Sequence, residues 1–275
     1  MTRLALFGAG GKMGVRLSRN LVKAEFEVLP VEVSEAGRAR LKEAVDWDCV
    51  PQDEALAEAE VVVLAVPDTA IGAVARKIVD HLRPGTMLVC LDAAGPHAGH
   101  LPERADITYF VTHPCHPPIF HDLATHEERM DRFGGVAAPQ GVVNVLMQGP
   151  EEHYALGDRV ARAIFAPVSQ TYRVTLDQLA MLEPGLSETV CASLLDVMRE
   201  AMDECVARGV PKEAARDFLL GHMNILAAVI FEEQPGVFSD ACNKAIEFGK
   251  PVLMKDDWKR VFDPEEIAAS IRRIT

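Results

Sequence analysis

The chain has no CxxC pair, no unbroken run of 18 apolar residues, no internal repeat and no surplus of positive charge. Each absence removes a class of protein. Six cysteines (Cys49, Cys90, Cys115, Cys191, Cys205, Cys242) are scattered singly through 275 residues, so reduced thiols in a cytoplasmic chain are expected rather than a disulfide framework. Cys90 in VCLD and Cys191 in TVCASL sit in apolar runs and are expected as buried packing residues. Without a long apolar run there is no membrane span to assign. Lys and Arg total 28 against 41 Asp and Glu, a net charge of −13. A surface of that sign repels phosphate backbones and anionic lipid, so neither nucleic acid nor membrane is an expected partner. With 49% hydrophobic and 25% charged residues and no low-complexity segment, the composition is that of a folded protein. The opening MTRLALFGAGGKMG runs into glycines too soon for a signal peptide and reads as a first strand.

What is present is a strand–helix alternation. Short apolar runs at 4–7, 28–33, 61–66, 86–91, 108–112, 142–147 and 168–174 read as strands. Helical spacing fills 12–24, 35–45, 69–82 and 151–165 between them. Strands that are apolar throughout rather than alternating belong to a parallel sheet covered on both faces. The expected fold class is α/β: a Rossmann-type doubly wound sheet over residues 1–174, followed by an all-helical C-terminal domain over 175–275. Helical patterns at 176–208, 211–232, 239–248 and 264–273 fill the second part. The second half of 211–232, from Asn224 to Phe231, is apolar on most faces, which calls for burial within its own domain or against a partner subunit. A homodimer built on the helical domain is therefore expected.

The strongest local signal is Gly8-Ala9-Gly10-Gly11-Lys12-Met13-Gly14, which follows a strand and opens a helix. Small residues there let backbone N–H groups approach a pyrophosphate at the positive end of the helix. Gly8, Gly11 and Gly14 give a GxxGxxG spacing, and Met13 stands where GxGxxG has its third glycine. Glu32 ends the second strand, where a carboxylate accepts ribose hydroxyls and repels a 2′-phosphate. No Arg follows directly, and Arg38 and Arg40 lie on the next helix, which favours NAD over NADP. Pro67 and Asp68 after the third strand, and Asp92-Ala93-Ala94-Gly95 after the fourth, point to the same crevice.

Six of nine histidines fall within 97–126, with Thr112-His113-Pro114-Cys115-His116-Pro117-Pro118 at their centre, directly after a strand. Prolines stiffen the turn and hold both imidazoles at the strand's carboxyl end. Three readings compete: a divalent metal site, a general base without metal, and a solvated histidine-rich loop. His121 and His126 lie in a polar stretch and read as solvated. Two histidines need a third ligand. Glu183, beside Pro184-Gly185 in an otherwise helical stretch where a kink or break is expected, is the first candidate, and Glu188 the second. Either is otherwise an ordinary solvated glutamate. His222 and Asn224 interrupt the apolar helix, and Lys244 offers a cation for an anionic substrate.

The order GAGGKMG, sheet, His-Pro turn and helical domain resembles the 6-phosphogluconate dehydrogenase-like group, which includes β-hydroxyacid dehydrogenases, prephenate dehydrogenases and ketol-acid reductoisomerases. More narrowly, THPCHPPIF, LMQGPEEHYALG and ACNKAIEFGKP with DWKRVFDPE are similar to the D-apionate oxidoisomerases of bacterial sugar-acid catabolism. That resemblance implies NAD-dependent oxidation of D-apionate coupled to a skeletal rearrangement, giving 3-oxo-isoapionate. The lysine that β-hydroxyacid dehydrogenases carry on the helical domain has no clear counterpart at 177–190, where Glu183 and Glu188 stand. This favours metal-assisted chemistry. The resulting expectation is His113 as catalytic base with Glu188 and Lys244 in support, and His116 with Glu183 on the metal. Alternatives are a simple dehydrogenase of another hydroxy acid and a non-catalytic NAD-sensing dimer.

Overall fold

A computed structural model describes residues 1–275. The chain forms two compact units: 1–182 with 271–275, and 183–270.

The first unit is built on a seven-stranded sheet. The strands are β1 (Thr2–Phe7), β2 (Phe26–Val31), β3 (Val61–Leu64), β4 (Met87–Cys90), β5 (Thr108–Pro114), β6 (Gln140–Gln148) and β7 (Val168–Arg173), in the order β2-β1-β3-β4-β5-β6-β7. The chain reverses its winding between β1 and β3, which opens a crevice at the carboxyl ends of those strands. Within β1, β3 and β4 alternate side chains enter opposite cores. Ala5, Phe7, Val62, Leu64, Leu88 and Cys90 join one core, and Leu4, Leu6, Val61, Val63, Met87 and Val89 the other. Both faces are thus apolar, which is why the sequence shows runs and no alternation.

Helices α1 (Lys12–Leu21), α2 (Glu35–Val45) and α7 (His153–Ile164) cover one face through Leu17, Leu21, Leu41, Val160 and Ile164. Helices α3 (Gln52–Glu58), α4 (Asp68–Ile78) and α8 (Leu176–Ala180) cover the other through Leu56, Ile71, Ile78 and Leu179. Two short helices, α5 (Ala94–His97) and α6 (His126–Met130), sit in connections. One pairing departs from the all-parallel expectation: β5 and β6 are antiparallel, with His113 opposite Val143. The segment between them contains only α6 and makes no covering crossover, so the chain turns back beside the strand it left.

After α8 the helix does not break at Pro184. It continues as a π-helical segment, Met181–Ala192, in which the Thr189 hydroxyl donates to the Pro184 carbonyl at 2.6 Å. Wider turns take up a proline that lacks an N–H donor, where a kink was the expectation. The second unit continues with α9 (Ser193–Ala207), α10 (Lys212–Ile230) and α11 (Asp240–Leu253); α12 (Pro264–Ile274) returns the chain to the first unit. Cys90 is buried as expected, but Cys191 is exposed, because the helical run that carries it has few buried positions. No helix is long and apolar enough to cross a membrane.

Candidate active site

The glycine loop joins β1 to α1 at the winding reversal. Gly8 has φ +75°, and a Cβ there would lie 2.4 Å from the Ala65 carbonyl oxygen at the end of β3. A Cβ on Gly14 would lie 2.0 Å from the Gly8 oxygen, so the first turn of α1 packs directly on the loop. Both requirements are met only by glycine. The first-turn N–H groups of Lys12, Met13 and Gly14 have no preceding helical carbonyl to bond, and with the helix dipole they form an anion-binding end. The residues present therefore fit a dinucleotide pyrophosphate.

Glu32 stands one residue past β2. Its Oε2 accepts from the Gly10 N–H at 3.0 Å and its Oε1 from the Ser34 N–H at 2.9 Å. The carboxylate is oriented by the loop and by the entry to α2, and retains lone pairs for ribose hydroxyls. Arg38 donates to the Glu32 and Val33 carbonyls, and Arg40 to the Gly10 carbonyl. Both guanidinium groups brace backbone in the region where a 2′-phosphate would require a cation. Pro67 and Asp68 open α4 after β3, and both are exposed.

The histidine segment leaves the same edge of the sheet. In the β4–β5 register Cys90 pairs with Val111, so Asp92 and His113 each stand two residues beyond a paired position. Both continue the parity of the core that α8 covers, which holds Leu88, Cys90, Tyr109, Val111 and Leu179. Their side chains are mostly buried, and His113 Nδ1 lies 3.8 Å from Asp92 Oδ2. Asp92 Oδ1 also accepts from the Ala94 N–H at 2.7 Å, which anchors it at the start of α5. Glu183 follows directly on Leu182, the last residue of the first unit, and lies in the segment Met181–Ala192. One ligand atom from each of Asp92, His113 and Glu183 lies within 4.8 Å of the others. Two carboxylates and an imidazole are a donor set for a hard or borderline divalent cation, with positions left for substrate oxygens.

The sequence leads one to expect Glu183 and His116 together on a metal. The group in the structure contains His113 and Asp92 with Glu183. His116 has φ +62°, a rare conformation for a side-chain-bearing residue. Its Nδ1 lies 2.7 Å from the Phe133 carbonyl, and its ring packs on Phe133 with centroids 4.7 Å apart. His113 Nδ1 lies 3.0 Å from the Leu91 carbonyl. A carbonyl only accepts, so each Nδ1 donates to it, and in the neutral ring Nε2 is the nitrogen that carries the lone pair. The two rings are edge-on, 6.2 Å apart. Glu188 and Lys244 belong to the helical unit and are exposed, as are His222 and Asn224.

One support was not read from the sequence. Asp131, nearly buried, accepts N–H bonds from Gly134, Val136, Ala137 and Ala138, and pairs with Arg16 of α1 at 3.1 Å. Burial pushes its carboxyl up, but those N–H groups and the Arg16 charge outweigh burial and hold it below the ordinary carboxylate value. Arg16 also lies 4.6 Å over the Phe133 ring and donates to the Gly134 carbonyl. The pyrophosphate helix, the 131–138 loop and His116 are thereby tied together.

The glycine loop and winding define the first unit as a Rossmann-type dinucleotide-binding protein. Residues 3–98 match the Rossmann-like domain family, and 121–275 match the phosphogluconate dehydrogenase (decarboxylating) C-terminal family. A curated protein of Rhizobium rhizogenes, named D-apionate oxidoisomerase, is 70% identical over 275 residues, all of both chains. One of the same name from Cupriavidus necator is 66% identical over 99% of each chain. A solved structure from Cupriavidus necator, described as a semialdehyde dehydrogenase NAD-binding protein in complex with calcium and NAD, superposes with a TM-score of 0.99. It is 65% identical over the whole of both chains. The chain belongs to the D-apionate oxidoisomerase family.

Proposed function

We propose that the chain is an NAD-dependent oxidoisomerase that oxidises D-apionate and rearranges its carbon skeleton to 3-oxo-isoapionate, with a divalent metal held beside the nicotinamide end of the dinucleotide site. The observation that carries this reading is the Asp92–His113–Glu183 group at the carboxyl edge of the sheet that also bears the glycine loop. The relatives' name supplies the substrate, and the Cupriavidus structure's calcium and NAD match the two kinds of site.

NAD, when bound, accepts the hydride that leaves the substrate carbon. A divalent cation, when bound, holds adjacent substrate oxygens and polarises a carbonyl during migration. Asp92, Glu183 and the Nε2 of His113 would hold that cation. An imidazole has one lone pair, so a ligating His113 is not also the base. The base is then His116, whose Nδ1–H is committed to the Phe133 carbonyl and whose Nε2 takes the hydroxyl proton. This exchanges the roles assigned to the two histidines from sequence. Lys244 is the cation for the substrate carboxylate, and Glu188 the auxiliary acid–base group. The protein partner in this reading is a second copy of the chain.

The test is NADH formation at 340 nm with D-apionate and a panel of other sugar acids, with and without a chelator. Turnover of D-apionate that a chelator abolishes and a divalent metal restores is the expected result. Undiminished turnover in chelator would overturn the metal assignment, and preference for another hydroxy acid would overturn the substrate.

A further inference from the structure

The backbone beside His116 is pinned to β6 through the Cys115 N–H and the Gly141 carbonyl, but the ring takes its direction from elsewhere. Its Nδ1 and its ring both meet Phe133. Phe133 is itself 48% exposed, so the core does not hold it. It precedes Gly134 and Gly135, which stand at φ +81° and +78°. Glycines leave a loop free to move unless something grips it.

The grip comes from α1. The Arg16 guanidinium lies 4.6 Å over the Phe133 ring, donates through Nε to the Gly134 carbonyl at 2.7 Å, and donates through Nη2 to Asp131 Oδ1 at 3.1 Å. One turn further on, the buried Asn20 donates to the Gly135 carbonyl at 3.1 Å. A planar guanidinium engaged in its ring plane and over its face sets a position that a flexible ammonium does not. Helix α1 begins at Lys12, so Arg16 stands about 6 Å along its axis from the end that faces the pyrophosphate. One rigid element thus offers N–H groups to the dinucleotide and, a turn later, the support of the His116 ring.

We infer that Arg16 is a positioning residue for the reaction: acting through Phe133 and the Gly134 carbonyl, it fixes the His116 ring with Nδ1–H on the Phe133 carbonyl and Nε2 presented to the substrate hydroxyl. The inference rests on the reading of His116 as the base. Its consequence is that the proton acceptor is registered against the cofactor helix, whereas His113 is registered against the sheet. Hydride leaves the carbon and the proton leaves the oxygen of one carbinol, so their two acceptors must keep a fixed separation. Support of both from α1 provides it. An Arg16 that merely braced the loop would contribute stability and leave the orientation of the ring unaffected by its loss.

The experiment compares Arg16→Met, Arg16→Lys, Phe133→Leu and His116→Gln with wild type in the full chain. One readout is kcat and KM for NAD and D-apionate. The other is the long-range proton–nitrogen correlation spectrum of protein with isotope-labelled histidine, free of cofactor and metal, above pH ~8, where the neutral ring reveals which nitrogen bears the proton. The signal missing from His116→Gln assigns the ring. In wild type His116 should be the Nδ1–H tautomer. Arg16→Met and Phe133→Leu should give mixed tautomers and lower kcat by about 10–100-fold, with both KM values within about threefold of wild type. Arg16→Lys, which keeps a cation but loses the fork, should lie between in both readouts. An unchanged tautomer in Arg16→Met and Phe133→Leu, or a kcat within about twofold of wild type in both, would overturn the inference. So would a loss of NAD affinity as large as the loss of kcat, which would make Arg16 a brace of the cofactor site alone. Wild-type kcat in His116→Gln would instead remove the base assignment, and the spectra would still decide whether Arg16 orients the ring. Should Arg16→Met not fold, Phe133→Leu, at a half-exposed position, decides alone.

Discussion

Replacing Asp131 with Asn tests whether the loop beside the histidines is held as the structure describes. The carboxylate accepts from Val136, Ala137 and Ala138 on one oxygen, and from Gly134 and Arg16 on the other. An amide keeps one acceptor and turns an NH₂ toward the Gly134 N–H and the Arg16 guanidinium, burying donor against donor. Breaking a buried pair by removing one partner costs about 3–5 kcal/mol. Arg16 is partly exposed, with 30% of its side chain in solvent, so we expect about 3 kcal/mol here. That corresponds to a fall of about 6–12 °C in the melting midpoint of the first unit. The sign with pH follows from the direction of the shift. The Asp131 carboxyl lies below its ordinary value in the folded protein, so its stabilisation is present above pH ~4 and is lost as pH falls through the folded value. The deficit between wild type and D131N should therefore narrow in acid. Urea unfolding of both proteins at pH 7 and in an acidic series, followed by NADH binding, measures it. A deficit under 1 kcal/mol at neutrality, or one equally large in acid, would refute the reasoning.

Other outcomes follow from the same geometry. Gly14→Ala places a Cβ 2.0 Å from the Gly8 oxygen, a backbone atom with nowhere to move; a cost of about 1–3 kcal/mol and a loss of about tenfold or more in NAD affinity should appear in a fluorescence titration. Glu183→Gln should lower metal affinity at least about tenfold and depress kcat far more than NAD affinity, and equal loss of both in parallel titrations would remove its assigned role. Burial pushes the Cys90 thiol up to about 12, so iodoacetamide at pH 8 should label exposed Cys115 in the native protein and reach Cys90 only after unfolding, as peptide mapping would show.

The sheet and glycine loop were legible because each strand is apolar on both faces and the loop's spacing is a local property. Run lengths placed β1, β3 and β4 within a residue or two, and GAGGKMG needed no knowledge of neighbours. Short helices such as α3 were missed, since seven residues between strands carry too little periodicity. Asp92 shows the limit for the site. It was noticed as a strand end, but its approach to His113 depends on the β4–β5 register, which no local pattern encodes. The direction of β6 was likewise hidden, because an antiparallel return depends on what the intervening segment does not cover. Asp131 was opaque for another reason: an Asp in the polar stretch HDLATHEERMDRFGG looks solvated until the backbone folds around it. In the helical domain, spacing located the helices, but an apolar surface in sequence does not say whether its cover comes from the same chain.

The antiparallel return of β6 has a consequence for how this site diversifies. The chain leaves the sheet at Pro114 and re-enters at Gln140, with Pro114 opposite Val142 and the Cys115 N–H bonded to the Gly141 carbonyl. Both feet of the excursion stand side by side at the edge that bears His113 and the glycine loop. A segment whose ends are adjacent tolerates changes of length, because lengthening it adds only about 0.6 kcal/mol of closure entropy per doubling. Insertions or deletions within 117–130, which spare His116 and the loop held by Asp131, would alter the surface beside that edge without disturbing a single strand pairing. Change in what the enzyme accepts should therefore accumulate in that stretch, while the sheet beneath it stays constant.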